Sequence, residues 1–390
     1  MGKLDELKLK GKKVLIRLDL NVSSRDPDEI AEEDRLTASL PMIRYAQKRG
    51  AKVILMSHLG RPDGKVVPEE SLAPVAEALE KKLDQKVTMA PDCIGSEVEN
   101  IITDMQDGDI TLLENLRFNP GEESNDPAFV KALARLGEIY INDAFGTAHR
   151  EHASVYGLPL LFKQDQKAAG LLMQKEIDMW SSVMENQGPK YLCLGGKKLS
   201  EKIGKALKKL SKEFDKVYVG GPVYNVIRAA QDRNIGSSLV TEKNDDTDYI
   251  AMARELLPKV KNIVMPDYIV IARKEGDKFV DEKRIKESED IPPGYAIVDC
   301  IYEGEKLEQL KKANVAVGFG PFGVFEKEKG GFAEGTNNLA NALNSVNIVV
   351  LGGGESAKAY KGTKAQFSTG GGASITYLSK KELPAVNALN

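Results

Sequence analysis

Two sets of residues in this 390-residue chain have the types and spacings of ligand-binding chemistry. The first is cationic. Arg35, His58, Arg61, Arg117, His149 and Arg150 each follow or flank a stretch that reads as the end of a β-strand. Guanidinium groups converging on one cleft suit a small substrate that carries phosphate or carboxylate, because the planar fork binds such groups through paired hydrogen bonds. Asp19 and Asn21, two apart after Val14-Leu15-Ile16, are expected on one strand face, where they would orient a hydroxyl. A single arginine is more often a surface ion pair, so the reading rests on the set. His149 and His152, three apart, have no third histidine or cysteine near them and make a poor metal site.

The second set is built from glycine. A β-branched run, Val346–Leu351, ends in Gly352-Gly353-Gly354-Glu355-Ser356, and a second triplet follows in Ser368-Thr369-Gly370-Gly371-Gly372-Ala373-Ser374. Glycine lets the backbone come close to a ligand and turn its N–H groups outward. A helix that starts there adds partial positive charge, which suits a phosphate. Glu355 is a carboxylate beside this anion nest, which makes sense if a divalent cation lies between it and the phosphate. A third glycine turn, Gly195-Gly196-Lys197-Lys198, leads to Lys202; Lys198 and Lys202, four apart, are expected on one helix face aimed at phosphates. No Walker A loop or protein-kinase signature occurs. One G-x-G-x-x-G, Gly318 to Gly323, follows a strand, but Pro321 does not open a helix as a dinucleotide turn does. A nicotinamide-dependent dehydrogenase would also leave the arginines unexplained.

The elements that must position these residues read as strand alternating with helix. Short apolar runs end near Asp19, His58, Arg117 and Asp143, with helical spacing over 36–50 and 72–83 between them. After 168–186, a long helical pattern stopped by Gln187-Gly188-Pro189, the rhythm restarts and most strands end on glycine. The fold class expected is α/β: two doubly wound parallel-sheet (Rossmann-like) lobes, 1–167 and 187–374, joined by a hinge helix at 168–186. In such sheets, ligands gather past the carboxyl ends of the strands.

Composition narrows the partners. Lys+Arg number 55 against Asp+Glu 58, a formal charge of −3, so no basic excess favours nucleic acid or an anionic membrane. Cys93, Cys193 and Cys300 are isolated and odd in number, as expected of free thiols in a reducing compartment. With a charged N-terminal stretch and no run of membrane-spanning length, the cytoplasm is expected.

Taken in order, the segments Arg17-Leu18-Asp19-Leu20-Asn21, Ser57-His58-Leu59-Gly60-Arg61-Pro62, Leu113-Glu114-Asn115-Leu116-Arg117 and Asn142-Asp143 to Arg150 resemble those of phosphoglycerate kinase. So do Gly195-Gly196 with Lys198 and Lys202, Gly320-Pro321 to Glu326, Gly352 to Ser356, and Ser368 to Ser374, nearly end to end. The resemblance implies reversible phosphoryl transfer between 1,3-bisphosphoglycerate and ADP, giving 3-phosphoglycerate and ATP, with Mg2+, by a cytoplasmic monomer. It implies that Asp19, Asn21, Arg35, His58, Leu59, Gly60, Arg61, Arg117 and Arg150 hold the three-carbon acid. It implies that Gly196, Lys198, Lys202, Gly220, Gly221, Gly320, Pro321, Glu326, Gly353, Gly354, Glu355 and Ser356 hold the nucleotide, Glu355 also meeting the metal. Arg35, Lys202, Gly371 and Gly372 would clamp the moving phosphoryl, and the tail 375–390 would return to the first lobe. The chain departs from the usual family pattern at four places. Glu355 replaces Asp, Phe319 replaces Asn, Pro222 replaces a third Gly, and Asp299-Cys300-Ile301-Tyr302 replaces an Asp-Ile/Cys-Gly-Pro loop. These departures leave one alternative, a family-like binding protein with a catalytically weakened nucleotide lobe.

Overall fold

A computed structural model describes residues 2–31, 33–243 and 245–390. The chain divides into two compact units: unit 1, Met1–Asp178 with Lys380–Asn390, and unit 2, Met179–Ser379.

Unit 1 is built on six strands: β1 (Lys13–Arg17), β2 (Lys52–Met56), β3 (Val87–Met89), β4 (Ile110–Leu112), β5 (Ile139–Asn142) and β6 (Lys167–Ala169). All pair in parallel, in the order β3-β4-β2-β1-β5-β6. The inner strands are buried nearly throughout, as a sheet covered on both faces requires. Helix Asp34–Lys48 buries Leu36, Leu40 and Ile43, and helix Ala73–Leu83 buries Val75 and Leu79. These i, i+4, i+7 stripes pack with Val14, Ile16, Val53, Leu55 and Ile141 in one core. Each such side chain contributes about 1.5–3 kcal/mol. The chain leaves β1 toward β2 and leaves β5 toward β6, in opposite directions along the sheet, so a crevice opens at the carboxyl ends of β1 and β5.

Unit 2 repeats the plan. Strands β7 (Lys190–Leu194), β8 (Lys216–Val219) and β9 (Ile263–Val264) lie on one side, and β13 (Val315–Phe319), β14 (Ile348–Gly352) and β15 (Gln366–Ser368) on the other. The order β15-β14-β13-β7-β8-β9 is parallel throughout, with its reversal between β13 and β7.

Three expectations about elements need correction. Residues 168 and 169 do not begin the long helix: Lys167–Ala169 is edge strand β6, paired with Tyr140–Asn142, and the helix spans Leu171–Glu185. Sheet pairing outweighs the strong helix preference of two alanines. Unit 2 also carries a separate antiparallel sheet, β10 (Tyr268–Glu275), β11 (Lys278–Lys286) and β12 (Tyr295–Ile301), which the strand-helix rhythm did not anticipate. Asp299, Cys300 and Ile301 therefore close a strand and are not a loop. Of the C-terminal residues, Lys380–Asn390 fall in unit 1, where Lys167 Nζ donates to Ala388 O (2.8 Å) and Ala385 N–H to Ala148 O (3.1 Å). Residues 375–379 remain in unit 2 as part of helix Gly372–Lys380.

Candidate active site

In unit 1 the carboxyl end of β1 delivers Arg17, whose side chain is 2% exposed. Its Nε donates to Ser154 Oγ (3.0 Å) and its Nη2 lies 3.0 Å from His58 Nδ1. A guanidinium only donates, so His58 Nδ1 accepts and the imidazole is neutral with its proton on Nε2. The electrostatics agree: burial, then Arg17, Arg117, Arg150 and Arg35, hold His58 well below the usual imidazole range. Four arginines thus act on one buried point. Buried Glu122 accepts from Ser154 N–H (2.9 Å) and Oγ (2.6 Å), linking an acid to Arg17 through the serine. Burial raises the Glu122 carboxyl despite Arg17, so it offsets the field only in part.

The loop after β2 is held rigidly. Asn115 accepts from Leu59 N–H (3.2 Å) and donates to Leu59 O (2.7 Å) and Glu70 O (2.8 Å). Asn21 Oδ1 accepts from Gly60 N–H (2.9 Å), and Arg117 Nη1 donates to Gly60 O (2.7 Å). Gly60 sits at φ +62°, a conformation that favours glycine, and a Cβ there would have to push the Glu70 carboxylate aside. Arg117 is 5% exposed, pairs with Glu123 (2.8 Å), and has a buried Nε without a hydrogen-bond partner. Arg35, on helix Asp34–Lys48, pairs with Asp19 (2.9 Å); Arg61 is exposed and Arg150 half-buried. Asp19 and Asn21 do not share a strand face: β1 ends at Arg17 and both lie in the loop beyond, committed to Arg35 and Gly60. The strand stops because its pairings to β2 and β5 end at Met56 and Asn142.

In unit 2 the turns after β7, β8, β13 and β14 form one cluster. Gly196 (φ +73°) donates to Pro321 O (2.8 Å), and a Cβ there would lie 3.2 Å from both Gly320 Cα and Glu355 Oε2. Gly220 lies against the Phe322 ring, and Gly221 (φ +53°) donates to Phe322 O (3.0 Å). Ser356 Oγ accepts from Gly320 N–H (2.9 Å) and donates to Gly352 O (2.8 Å), while its own N–H goes to Gly353 O (3.0 Å). Its donors are engaged inside the protein, so Ser356 ties the β13 turn to the β14 turn. Gly353, Gly354 and Gly371 differ: a Cβ on any of them would meet no protein atom within 4 Å.

Lys198 and Lys202 do not share a helix face. Lys198 precedes the helical segment with non-helical dihedrals and is exposed. Lys202 begins a wider-wound turn, Lys202–Leu207, and is 7% exposed. Burial lowers the Lys202 ammonium, opposed by Glu201 (4.0 Å), Glu355 and Glu242. Gly372 opens helix Gly372–Lys380, and a Cβ there would lie 3.5 Å from Glu201 Oε1 and 3.8 Å from Lys205 Nζ. Glu326 pairs with Lys197 (3.3 Å) and Lys329 (2.9 Å). Two departures are absorbed by packing. The buried Phe319 ring stacks on Trp180 (6.3 Å, 15°) and fills the space beside Gly352. Pro222 occupies the first turn of helix Gly221–Ala230, where a missing N–H costs nothing. The motifs contain Arg17 and Asn115 without giving them a role, and Glu122, Ser154 and Lys205 lie outside them. For Arg17 the available signal was a charged residue directly after the apolar run Val14-Leu15-Ile16 of a central strand.

Comparison with known proteins decides the family. The profile of phosphoglycerate kinase matches residues 4–381. The chain belongs to the phosphoglycerate kinase family. It is 40% identical to the cytosolic phosphoglycerate kinase of Triticum aestivum, over 100% of this chain and 98% of that one. It is also 40% identical to phosphoglycerate kinase 1, chloroplastic, of Arabidopsis thaliana, over 100% of this chain and 82% of the relative. The crystal structure of phosphoglycerate kinase from Pyrococcus horikoshii superimposes with a TM-score of 0.83 at 30% identity, covering 100% of this chain and 98% of that one. Phosphoglycerate kinases are phosphate-transferring enzymes that use ATP and ADP, and this chain is one of that family of enzymes. Among the described residues, no helix is long and apolar enough to cross a membrane.

Proposed function

We propose that unit 1 holds 3-phosphoglycerate, that unit 2 holds the nucleotide, and that the reversible reaction moves a phosphoryl group between ADP and the acyl phosphate of 1,3-bisphosphoglycerate. The observation that carries this is the field of Arg17, Arg35, Arg117 and Arg150 around a neutral His58. Such a field is costly without an anion to balance it. Asp19, Asn21, His58, the Leu59-Gly60 backbone, Arg61, Arg117 and Arg150 would grip the acid. In unit 2, Gly196, Gly220, Gly221, Gly320 and Pro321 would line the nucleotide, with Glu326 at the ribose after release from its lysines. Gly353, Gly354, Glu355, Lys198 and Lys202 would meet its phosphates, with Ser356 holding the turn in shape.

A phosphoryl in transfer spreads negative charge over its oxygens, so positive groups and N–H donors do most of the work. Arg35 and Lys202 would supply the charge, and the open turn at Gly371 and Gly372 the donors. The acceptor carboxylate is already ionised, so no general base is required. Helix Leu171–Glu185 would serve as the hinge that excludes water during transfer. Among the described residues, no group of three or more His, Cys, Asp or Glu side chains is arranged to hold a metal. One carboxylate completed by phosphate oxygens and water nonetheless suits Mg2+, and Glu355, placed against Gly196, fits that part. When bound, the ion would neutralise phosphate charge. The protein would act as a cytoplasmic monomer that binds neither nucleic acid nor membrane.

The test is separate titration of the full chain with 3-phosphoglycerate and with ATP plus magnesium. Each should bind at one site. Arg61→Ala should weaken the acid at least tenfold and leave ATP alone; Lys198→Ala should do the reverse. Equal effects on both ligands would refute the division of labour.

A further inference from the structure

The segment from Asn142 to Arg150 contains a residue that the proposed reaction does not use. Asp143 follows β5 and is 2% exposed. Its N–H donates to Arg17 O (2.8 Å), which fixes it at the end of β1, the strand that carries Arg17. Its Oδ1 accepts the N–H groups of Leu172 (2.7 Å) and Met173 (3.0 Å), the second and third residues of helix Leu171–Glu185. Such N–H groups have no partner within their own helix. Asp143 thus caps the helix from 29 residues away. Gly170 permits the approach: it donates to Asn142 O (2.8 Å), and a Cβ on it would lie 2.4 Å from Asp143 Oδ1. Asp143 Oδ2 is buried without a hydrogen-bond partner. A serine or threonine beside the helix would cap it without burying a carboxylate, so the remote acid calls for another reason.

We propose that Asp143 is a positioning residue, the joint through which the loop from Asp143 to Arg150 and helix Leu171–Glu185 shift together when the acid binds. The inference rests on the proposed placement of 3-phosphoglycerate in unit 1. An anion drawn to Arg150 displaces its loop, and a helix whose first turn hangs from that loop must follow. A locally capped helix would have no such obligation.

The helix supplies its own probe, since Trp180 lies on it and is the chain's one tryptophan. In the wild-type chain, 3-phosphoglycerate should change Trp180 emission. Asp143→Ala should abolish that response and lower kcat tenfold or more. The calorimetric Kd for 3-phosphoglycerate and the KM for ATP should stay within about threefold. Asp143→Asn retains the Oδ1 acceptor and should restore both response and turnover. Gly170→Ala, which drives a methyl against Oδ1, should repeat the alanine result and serves if Asp143→Ala folds poorly. A normal Trp180 response in a folded Asp143→Ala or Gly170→Ala chain overturns the inference, as does failure of Asp143→Asn to rescue. A wild-type chain that does not bind 3-phosphoglycerate instead overturns the functional reading on which the inference rests.

Discussion

Replacing Gly354 by alanine separates what the protein needs at the β14 turn from what its ligand needs. Gly354 is the first residue of helix Gly354–Ala359, is absent from the glycines with positive φ, and a Cβ on it would have no protein atom within 4 Å. The fold alone should therefore welcome alanine. Gly→Ala at a compatible helical position stabilises by about 0.4–1 kcal/mol. In a unit of this size that is worth roughly 1–4 °C in Tm. The ligand should not welcome it, because the methyl enters the space in which a nucleotide phosphate would approach the turn. Loss of one hydrogen bond to a charged oxygen costs about 1.5–3 kcal/mol, or roughly 10- to 150-fold in affinity. Scanning calorimetry and steady-state kinetics should thus show a protein that melts higher, with KM for ATP raised at least tenfold and KM for 3-phosphoglycerate unchanged. A stabilised variant with wild-type KM for ATP would refute the reasoning, because nothing would then come near that turn.

Removing either proposed clamp, by Lys202→Ala or Arg35→Ala, should lower kcat by about 100-fold or more, the scale of one lost electrostatic contact in a transition state; near-normal turnover in both would end that assignment. Glu355→Asp should retain or raise activity, since a shorter carboxylate suits tight octahedral coordination, and a complete loss in magnesium-dependent assays would show the metal to be misplaced. Burial raises the Asp143 carboxyl to about 7 against the opposing Leu172 and Met173 N–H bonds, from an ordinary value of 3.8. Between those values the native state holds this proton more tightly than the unfolded chain. Asp143 therefore erodes stability as pH rises from about 4 to about 7, by at most about 1.4 kcal/mol per pH unit. Urea unfolding of Asp143→Asn over that window should show a shallower decline than the wild type, and identical slopes would contradict the assignment.

The parallel sheets were legible because many of their strands are short apolar runs rich in β-branched residues, punctuated by polar or glycine turns, as at Lys52–Met56 and Lys216–Val219. Strand β6 was not, because Ala168 and Ala169 carry no strand preference and become a strand only by pairing with β5. The antiparallel sheet was partly hidden by charge: β11 is largely exposed and lysine-rich, which protects an edge strand but blurs its alternation. Its hairpin signal was nonetheless present at Gly276, at φ +60°. Among the candidate residues, spacing picked out the arginines and glycine turns. It could not tell a group that faces a ligand from one that holds a turn, and Ser356 and Asn21 prove to be engaged inside the protein. Lys198 and Lys202 were misjudged because four-residue spacing places groups together only inside an α-helix, and Lys198 lies outside one.

The most direct trial of the whole account is a coupled steady-state assay of the full chain with ATP, 3-phosphoglycerate and magnesium. Sustained ADP formation that requires all three is the predicted result. Binding of both substrates without turnover would contradict it.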